Sequence, residues 1–316
     1  MSRILVLGGT GFVGRALCER LAARSASDRI VVPTRRAQRA HALTALPTVE
    51  VMQADVHDDA ALARLLAGCD AVVNLVAVLH ASAAEFDRVH VQLPRHVAQA
   101  CRAAGVRRMV HVSALGVGEG APSNYLKSKT AGEVVLEKSG LALTLLRPSV
   151  IFGAEDSFLN LFASLQAVAP LMPLAGSDAR FQPVWVDDVA AAIVNALDRP
   201  DTIGKTYECA GPTVYTLAEL VRLAGRWSGH ERAQLPLPAA LGRLQALAME
   251  WLPGTPLMSR DNIDSMKTPN IATGKLPGLA ALGITATPLE AVAPGYLGGQ
   301  FGRARLEKLR AAVRRQ

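Results

Sequence analysis

Along its first 150 residues the chain alternates short apolar runs with longer stretches whose apolar residues recur three and four apart. Residues 4–7 form an unbroken apolar run that ends in glycines, which predicts a buried strand. Residues 12–23 place Val13, Ala16, Leu17 and Leu21 at helical spacing. The same reading predicts strands at 30–33, 49–52, 71–76, 109–112 and 143–146. It predicts helices over a polar stretch ending near Thr44 and over 60–66, 85–104 and 125–139. The run 71–76 shows no alternation, so both of its faces are expected to be buried. Strand–helix pairs with short connections force parallel strands and right-handed crossovers. The expected fold is α/β, a doubly wound, Rossmann-like parallel sheet with helices on both faces.

The pattern changes after Pro148. Pro170, Pro173, Pro183, Pro200 and Pro212 punctuate shorter elements, and helices are predicted at 186–197, 217–227 and 241–251. The expected organisation is a first domain over 1–150, with 183–198 packing back on it. A smaller C-terminal substrate lobe follows over 151–302, and then a basic tail over 303–316.

Composition narrows the class. Half of the 316 residues are hydrophobic and 19% are charged, which excludes intrinsic disorder. Aromatic residues are only 4%, so the core is aliphatic. No apolar run approaches the ~18 residues of a membrane-spanning helix. The apolar start of the chain reads as too short for a signal-peptide core. Cys18, Cys69, Cys101 and Cys209 are far apart, which fits neither a zinc site nor a disulfide framework and suggests a reducing cytoplasm. The histidines, among them His80, His90, His96 and His111, show no metal-ligand spacing, and no metal is expected. The formal charge is +7, but six basic residues against Glu307 alone in 303–316 account for +5 of it. The excess charge belongs to the tail and gives no footprint for nucleic acid. Within the tail, Leu306, Leu309 and Val313 recur at helical spacing between arginines. Such a segment can lie on an anionic membrane as a basic amphipathic helix, or form a solvated terminus. The apolar stretch 251–258 could add to a membrane-facing patch or belong to the core.

The sequence Gly8-Gly9-Thr10-Gly11-Phe12-Val13-Gly14 joins the first strand to the first helix. Glycines three apart allow a tight turn, close approach of a pyrophosphate and close helix–strand packing. The helix start then offers free N–H groups to the phosphates. No Gly-Lys-Ser/Thr follows, so the loop is not that of a nucleoside-triphosphate site. An NAD-selective site wants a carboxylate at the end of the second strand. Here that strand runs into Thr34-Arg35-Arg36, and two guanidiniums suit a 2′-phosphate. NADP(H) is therefore expected in preference to NAD(H). Asp55, after the third strand, is placed either near the adenine or as a turn residue. The expected cofactor contacts are Gly8, Thr10, Gly11, Phe12, Val13 and Gly14 in the loop, Arg35 and Arg36, and Asp55 and Val56. Asn74, Leu75 and Val76 after the fourth strand, with Tyr125, Lys129 and Pro148, complete the set.

Tyr125 and Lys129 lie four apart at a helix start, hence on one face. An ammonium beside a phenol stabilises the phenolate and is expected to draw its pKa down. Ser113, at the carboxyl end of a strand, could orient a substrate oxygen. Asp156 or Ser157 is placed to cap a helix starting near Phe158, and Asp187 and Asp188 suit another helix start.

The glycine loop, Ser113 and Tyr125-x-x-x-Lys129 together resemble the short-chain dehydrogenase/reductase superfamily, and Arg147-Pro148-Ser149 fits the same pattern. Three segments sharpen the resemblance: 147–160 with its Phe-Gly-x-Glu-Asp-x-Phe-Leu-Asn run, 182–189, and 204–212. They are similar to the atypical, epimerase/dehydratase-like branch typified by the NADPH-binding accessory subunit of respiratory complex I. The resemblance implies a tightly held NADPH and a peripheral place beside a membrane enzyme, in quinone or respiratory-complex metabolism. The partner would be a respiratory complex or the inner face of the cytoplasmic membrane, reached through the tail. The alternative is an active NADP(H)-dependent oxidoreductase or epimerase of a quinone or other small substrate. In that case Tyr125 is the acid/base, Lys129 tunes it and Ser113 orients the substrate. Only eleven residues separate Ser113 from Tyr125, fewer than extended epimerases usually carry, which argues against a sugar-nucleotide pocket.

Overall fold

The computed structural model describes residues 2–251 and 256–298. The chain divides into two compact units, each assembled from three stretches. Of the described residues, the first comprises 2–148, 186–209 and 272–285; the second comprises 149–185, 210–271 apart from 252–255, and 286–298. The tail 303–316 and part of the 251–258 stretch lie outside the described residues, and so do the expectations placed on them.

The first unit holds a sheet of seven parallel strands. Six are β1 (Arg3–Leu7), β2 (Arg29–Thr34), β3 (Val49–Gln53), β4 (Ala71–Asn74), β5 (Arg108–Val112) and β6 (Ala142–Pro148). The seventh, Thr206–Cys209, pairs with the outer edge of β6, although the sequence reading left it in the C-terminal lobe. Spatially the order runs from Thr206–Cys209 through β6, β5, β4, β1 and β2 to β3. The chain thus moves outward from β1 to β3 and then restarts on the other side of β1 with β4. That reversal is a topological switch point, and the carboxyl ends of β1 and β4 flank it. Leu5, Leu7, Val72 and Met109 pack with Leu62, Leu93, Val97 and Leu136 in one continuous core on one face. All four residues of β4 are buried, in keeping with its uniformly apolar pattern.

Three elements differ in detail from the sequence reading. The strand expected over 71–76 stops at Asn74, because the Asn74 Oδ1 accepts the Val76 N–H at 3.1 Å and turns the chain. The polar helix before Thr44 is a 3-10 turn, Ala37–Ala40, followed by one α turn, His41–Thr44. It lacks a side-chain N-cap and a first-turn acid, and it buries little beyond Ala40 and Leu43. The helix expected over 85–104 starts at Ala83 and passes through a π turn at Arg88–Gln92 before continuing as Leu93–Ala104.

Buried polar clasps hold the unit's later stretches. Arg108 donates to Ala142 O, Thr144 Oγ1 and Thr202 Oγ1, tying β5 and β6 to the chain beyond the Val186–Asp198 helix. Glu208 accepts from Thr273 N and Thr273 Oγ1, each at 2.8 Å, and from Gly274 N.

The second unit packs the helices Leu159–Val168, Leu217–Ser228 and Leu289–Leu297 around Phe152, Leu159, Leu220 and Leu289. Asp156 Oδ1 accepts the N–H groups of Phe158, Leu159 and Asn160, so Asp156 caps the first of these helices. Its Oδ2 accepts the Tyr296 hydroxyl at 2.7 Å.

Candidate functional site

Two groups of residues meet the carboxyl edge of the sheet in the first unit. The glycine loop comes first. Gly8 has φ +81°, a left-handed conformation that favours glycine. A Cβ there would also sit 3.2 Å from the Leu75 carbonyl carbon and 3.3 Å from Val76 N, so the loop lies directly on the turn after β4. A Cβ on Gly14 would lie 2.4 Å from Gly8 O, which brings the helix Phe12–Arg24 hard against the loop. That helix has Gly11 at its N-cap, no capping side chain and no acid in its first turn. Its N-terminal N–H groups and positive dipole end are left for a ligand anion.

Thr34, Arg35 and Arg36 follow β2. The Thr34 hydroxyl fixes the bend by accepting Arg36 N–H at 3.2 Å, and both arginine side chains are exposed. Neither forms an ion pair among the described residues. Asp55 Oδ1 accepts His57 N–H at 3.0 Å, so Asp55 is at least a turn-former. Val56 and Val76 are half-buried against the core. Thr10, Phe12 and Val13 lie in the loop and first helical turn, and Leu75 N–H donates to Leu7 O at 2.9 Å. Pro148 ends β6, where its carbonyl accepts Leu115 N–H.

The second group surrounds the Asn124–Glu137 helix, whose Ser123 cap accepts Leu126 N–H. Lys129 is 2% exposed, and its Nζ donates to Val112 O at 2.9 Å at the end of β5. Burial pulls its pKa down to about 8, opposed by the nearby Glu133 carboxylate. Glu133 is itself held by Arg147, whose Nε donates to Oε1 at 3.0 Å. Tyr125, one turn before Lys129, is shifted the other way: burial raises it to about 12. The sequence reading expected Lys129 to draw the phenol down. Loss of water from around the half-buried ring raises it instead, and Tyr125 is a neutral phenol at pH 7.

Three buried side-chain atoms at this edge lack a hydrogen-bond partner among the described residues: Ser113 Oγ, Asn74 Nδ2 and His111 Nδ1. Asn74 and His111 are register partners on β4 and β5, and Ser113 follows β5. Unpaired buried polar groups are costly, and clustered beside an uncapped helix end they fit a polar ligand. The glycine cradle, this helix end and these orphans together fit a nicotinamide dinucleotide.

The sequence reading missed His90 as a contributor. It considered histidines only as metal ligands, and the π turn that points this one inward leaves no simple periodic signal. The His90 ring stands edge-on to Tyr125, centroids 5.5 Å apart, and stacks on Phe86. Its Nε2 accepts Val78 N–H at 3.1 Å, so the neutral ring carries its proton on Nδ1, 2.8 Å from Ser128 Oγ. Burial and the Lys129 ammonium hold its pKa down to about 3.

Comparison with known proteins places this edge in a family. Residues 4–210 match the model of the NAD dependent epimerase/dehydratase family. The chain belongs to that family. Nicotinamide dinucleotide binding is a family property. Among curated epimerase/dehydratase relatives, the chain is 32% identical over 296 residues to the mouse mitochondrial NADH dehydrogenase [ubiquinone] 1 alpha subcomplex subunit 9. That alignment covers 90% of this chain and 77% of the mouse protein. It is also 32% identical over 238 residues to the ceramide reductase of Caulobacter vibrioides, covering 74% and 73%. The fold is shared with an Escherichia coli NADPH-dependent quinone oxidoreductase solved with NADPH, at TM-score 0.74 and 24% identity over 92% of this chain and 98% of that one. A dTDP-glucose 4,6-dehydratase of Streptomyces venezuelae solved with NAD matches at TM-score 0.65 and 26% identity, covering 75% and 85%.

Proposed function

We propose that this chain binds NADP(H) along the edge from Gly8 to Asn74 and uses Tyr125, Lys129 and Ser113 to reduce a carbonyl compound or quinone. The observation that supports this reading is the buried Ser113 Oγ, without a partner among the described residues, directly after the strand end that Lys129 grips, with Tyr125 one turn away on the Lys129 helix. Bound NADP(H) would supply the hydride. Tyr125 would give its hydroxyl proton to the substrate oxygen, since its raised pKa keeps that proton in place until a strongly basic alkoxide forms. Ser113 Oγ would hold the same oxygen, and the Lys129 ammonium would stabilise the phenolate left behind. The preference for NADP(H) is supported by the absence of a carboxylate at the end of β2 and by exposed Arg35 and Arg36.

The likeness to the mouse complex I subunit over 90% of the chain favours a second reading. In it the nucleotide is held without turnover by an accessory or assembly protein of respiratory-complex or quinone metabolism. That protein would sit peripherally at the inner face of the cytoplasmic membrane, with residues 303–316 as its contact.

NADPH oxidation by the purified protein, followed with a short-chain ubiquinone and a panel of carbonyl compounds, separates the two. The reductase reading expects turnover with one class, and a loss of about a hundredfold or more in Tyr125→Phe with NADPH binding retained. NADPH that stays reduced through every addition favours the accessory role, and a Tyr125→Phe variant at full rate sinks the catalytic assignment. Replacing Arg35 and Arg36 by Ser should weaken NADPH by about tenfold or more while sparing NADH. Equal weakening of both nucleotides would remove the argument for NADP(H).

A further inference from the structure

His90 occupies a place that ordinary helix packing would deny it. It lies in the π turn Arg88–Gln92, and the facing helix meets that turn with Gly132. A Cβ on Gly132 would lie 2.0 Å from His90 O, so the close approach depends on glycine. π turns inside helices often mark functional positions. The approach sets up a directed chain of hydrogen bonds. Val78 N–H donates to His90 Nε2, His90 Nδ1–H to Ser128 Oγ, and Ser128 O–H to Tyr125 O at 2.7 Å. Each donor in the series has one acceptor, and only the Nδ1–H tautomer of a neutral ring satisfies all three links. The ring of His90 also contacts the ring of Tyr125, and Phe86 touches both, its centroid 5.5 Å from that of His90 and 6.1 Å from that of Tyr125.

Val78 lies three residues beyond Leu75, and the Leu75–Val76 backbone is what Gly8 packs against. The same turn is braced by Asn74 Oδ1 on Val76 N–H. A contiguous path therefore runs from the glycine loop through the turn after β4 to His90, and from His90 to both the backbone and the ring of Tyr125. We propose that His90 is a positioning residue that couples occupancy of the nucleotide loop to the placement of the Tyr125 hydroxyl. The proposal rests on the reading that the loop binds NADP(H) and goes beyond it, because no cofactor contact by His90 is required. His90 does not transfer a proton in this scheme; both of its ring nitrogens are engaged in holding the loop and the helix.

The test reads Tyr125 without relying on turnover. The chain has four tyrosines, so protein labelled with carbon-13 at the tyrosine ζ position gives a simple spectrum, and Tyr125→Phe identifies the signal. Addition of NADPH should move the Tyr125 resonance in the native protein. In His90→Phe, which keeps an aromatic ring but breaks both hydrogen bonds, that movement should be lost although NADPH still binds. Ser128→Ala breaks the same chain at a half-buried position and should lose it too, which covers the case in which His90→Phe does not fold. His90→Asn, which can serve only the Ser128 side and leaves Val78 N–H unanswered, should not restore the response. Nor should His90→Gln, which can serve only the Val78 side. A native Tyr125 signal indifferent to bound NADPH, or an undiminished response in both His90→Phe and Ser128→Ala, would overturn the coupling. Failure of NADPH to bind at all would instead overturn the nucleotide reading beneath it.

Discussion

Lys129 decides how the site responds to pH. Its ammonium is buried, and its pKa of about 8 lies below the ordinary lysine value of 10.5. The cationic form that would support Tyr125 is therefore lost as pH rises through about 8. NADPH-dependent turnover should fall along that limb. Glu133 is the group that holds the value up, so Glu133→Gln should move the limb to lower pH; a limb unmoved by that change would mean another group titrates there. Stability runs the opposite way. Between about 8 and 10.5 the unfolded chain keeps this proton and the folded chain does not, so Lys129's own contribution makes the fold more stable with rising pH. The two trends share a cause, the burial of one amino group.

At the level of elements, the meeting of the Arg88–Gln92 turn with the Asn124–Glu137 helix is the tightest constraint near the site. Gly132→Ala would push a methyl group into the His90 carbonyl. The expected cost is about 1–3 kcal/mol, read as a lower midpoint in denaturant with an unchanged slope. A variant as stable as the native protein would show that the turn can relax. This contact also marks the limit of what the sequence discloses. Strands such as β1 and β4 were legible because a run buried on both faces has no choice of register or face. The glycine loop was legible because Gly8 and Gly14 answer to backbone geometry alone. Tyr125 and Lys129 were legible because four residues make one turn. His90 was not, since a π turn inserts one residue into the helical period and rotates the following positions off the expected face. The pKa of Tyr125 was misread for a related reason: spacing reveals a neighbouring charge but not how much water the ring has lost.

At the scale of the whole molecule, the first unit is threaded through sequence that belongs to the second. Family likeness across most of the chain fits this arrangement, because neither unit is a contiguous block that could be gained or lost alone. The seventh strand carries a consequence for how the protein is made. A ribosome that has finished β6 has released an apolar strand whose outer edge stays open until Thr206–Cys209 emerges. Open edges invite pairing with other chains. Even then Glu208 is a carboxylate headed for burial without partners, since Thr273 and Gly274 are still to be synthesised. Growing chains of this protein thus carry an open sheet edge between the emergence of β6 and that of Thr206–Cys209, and the unit that holds the sheet closes only once Thr273 and Gly274 have followed.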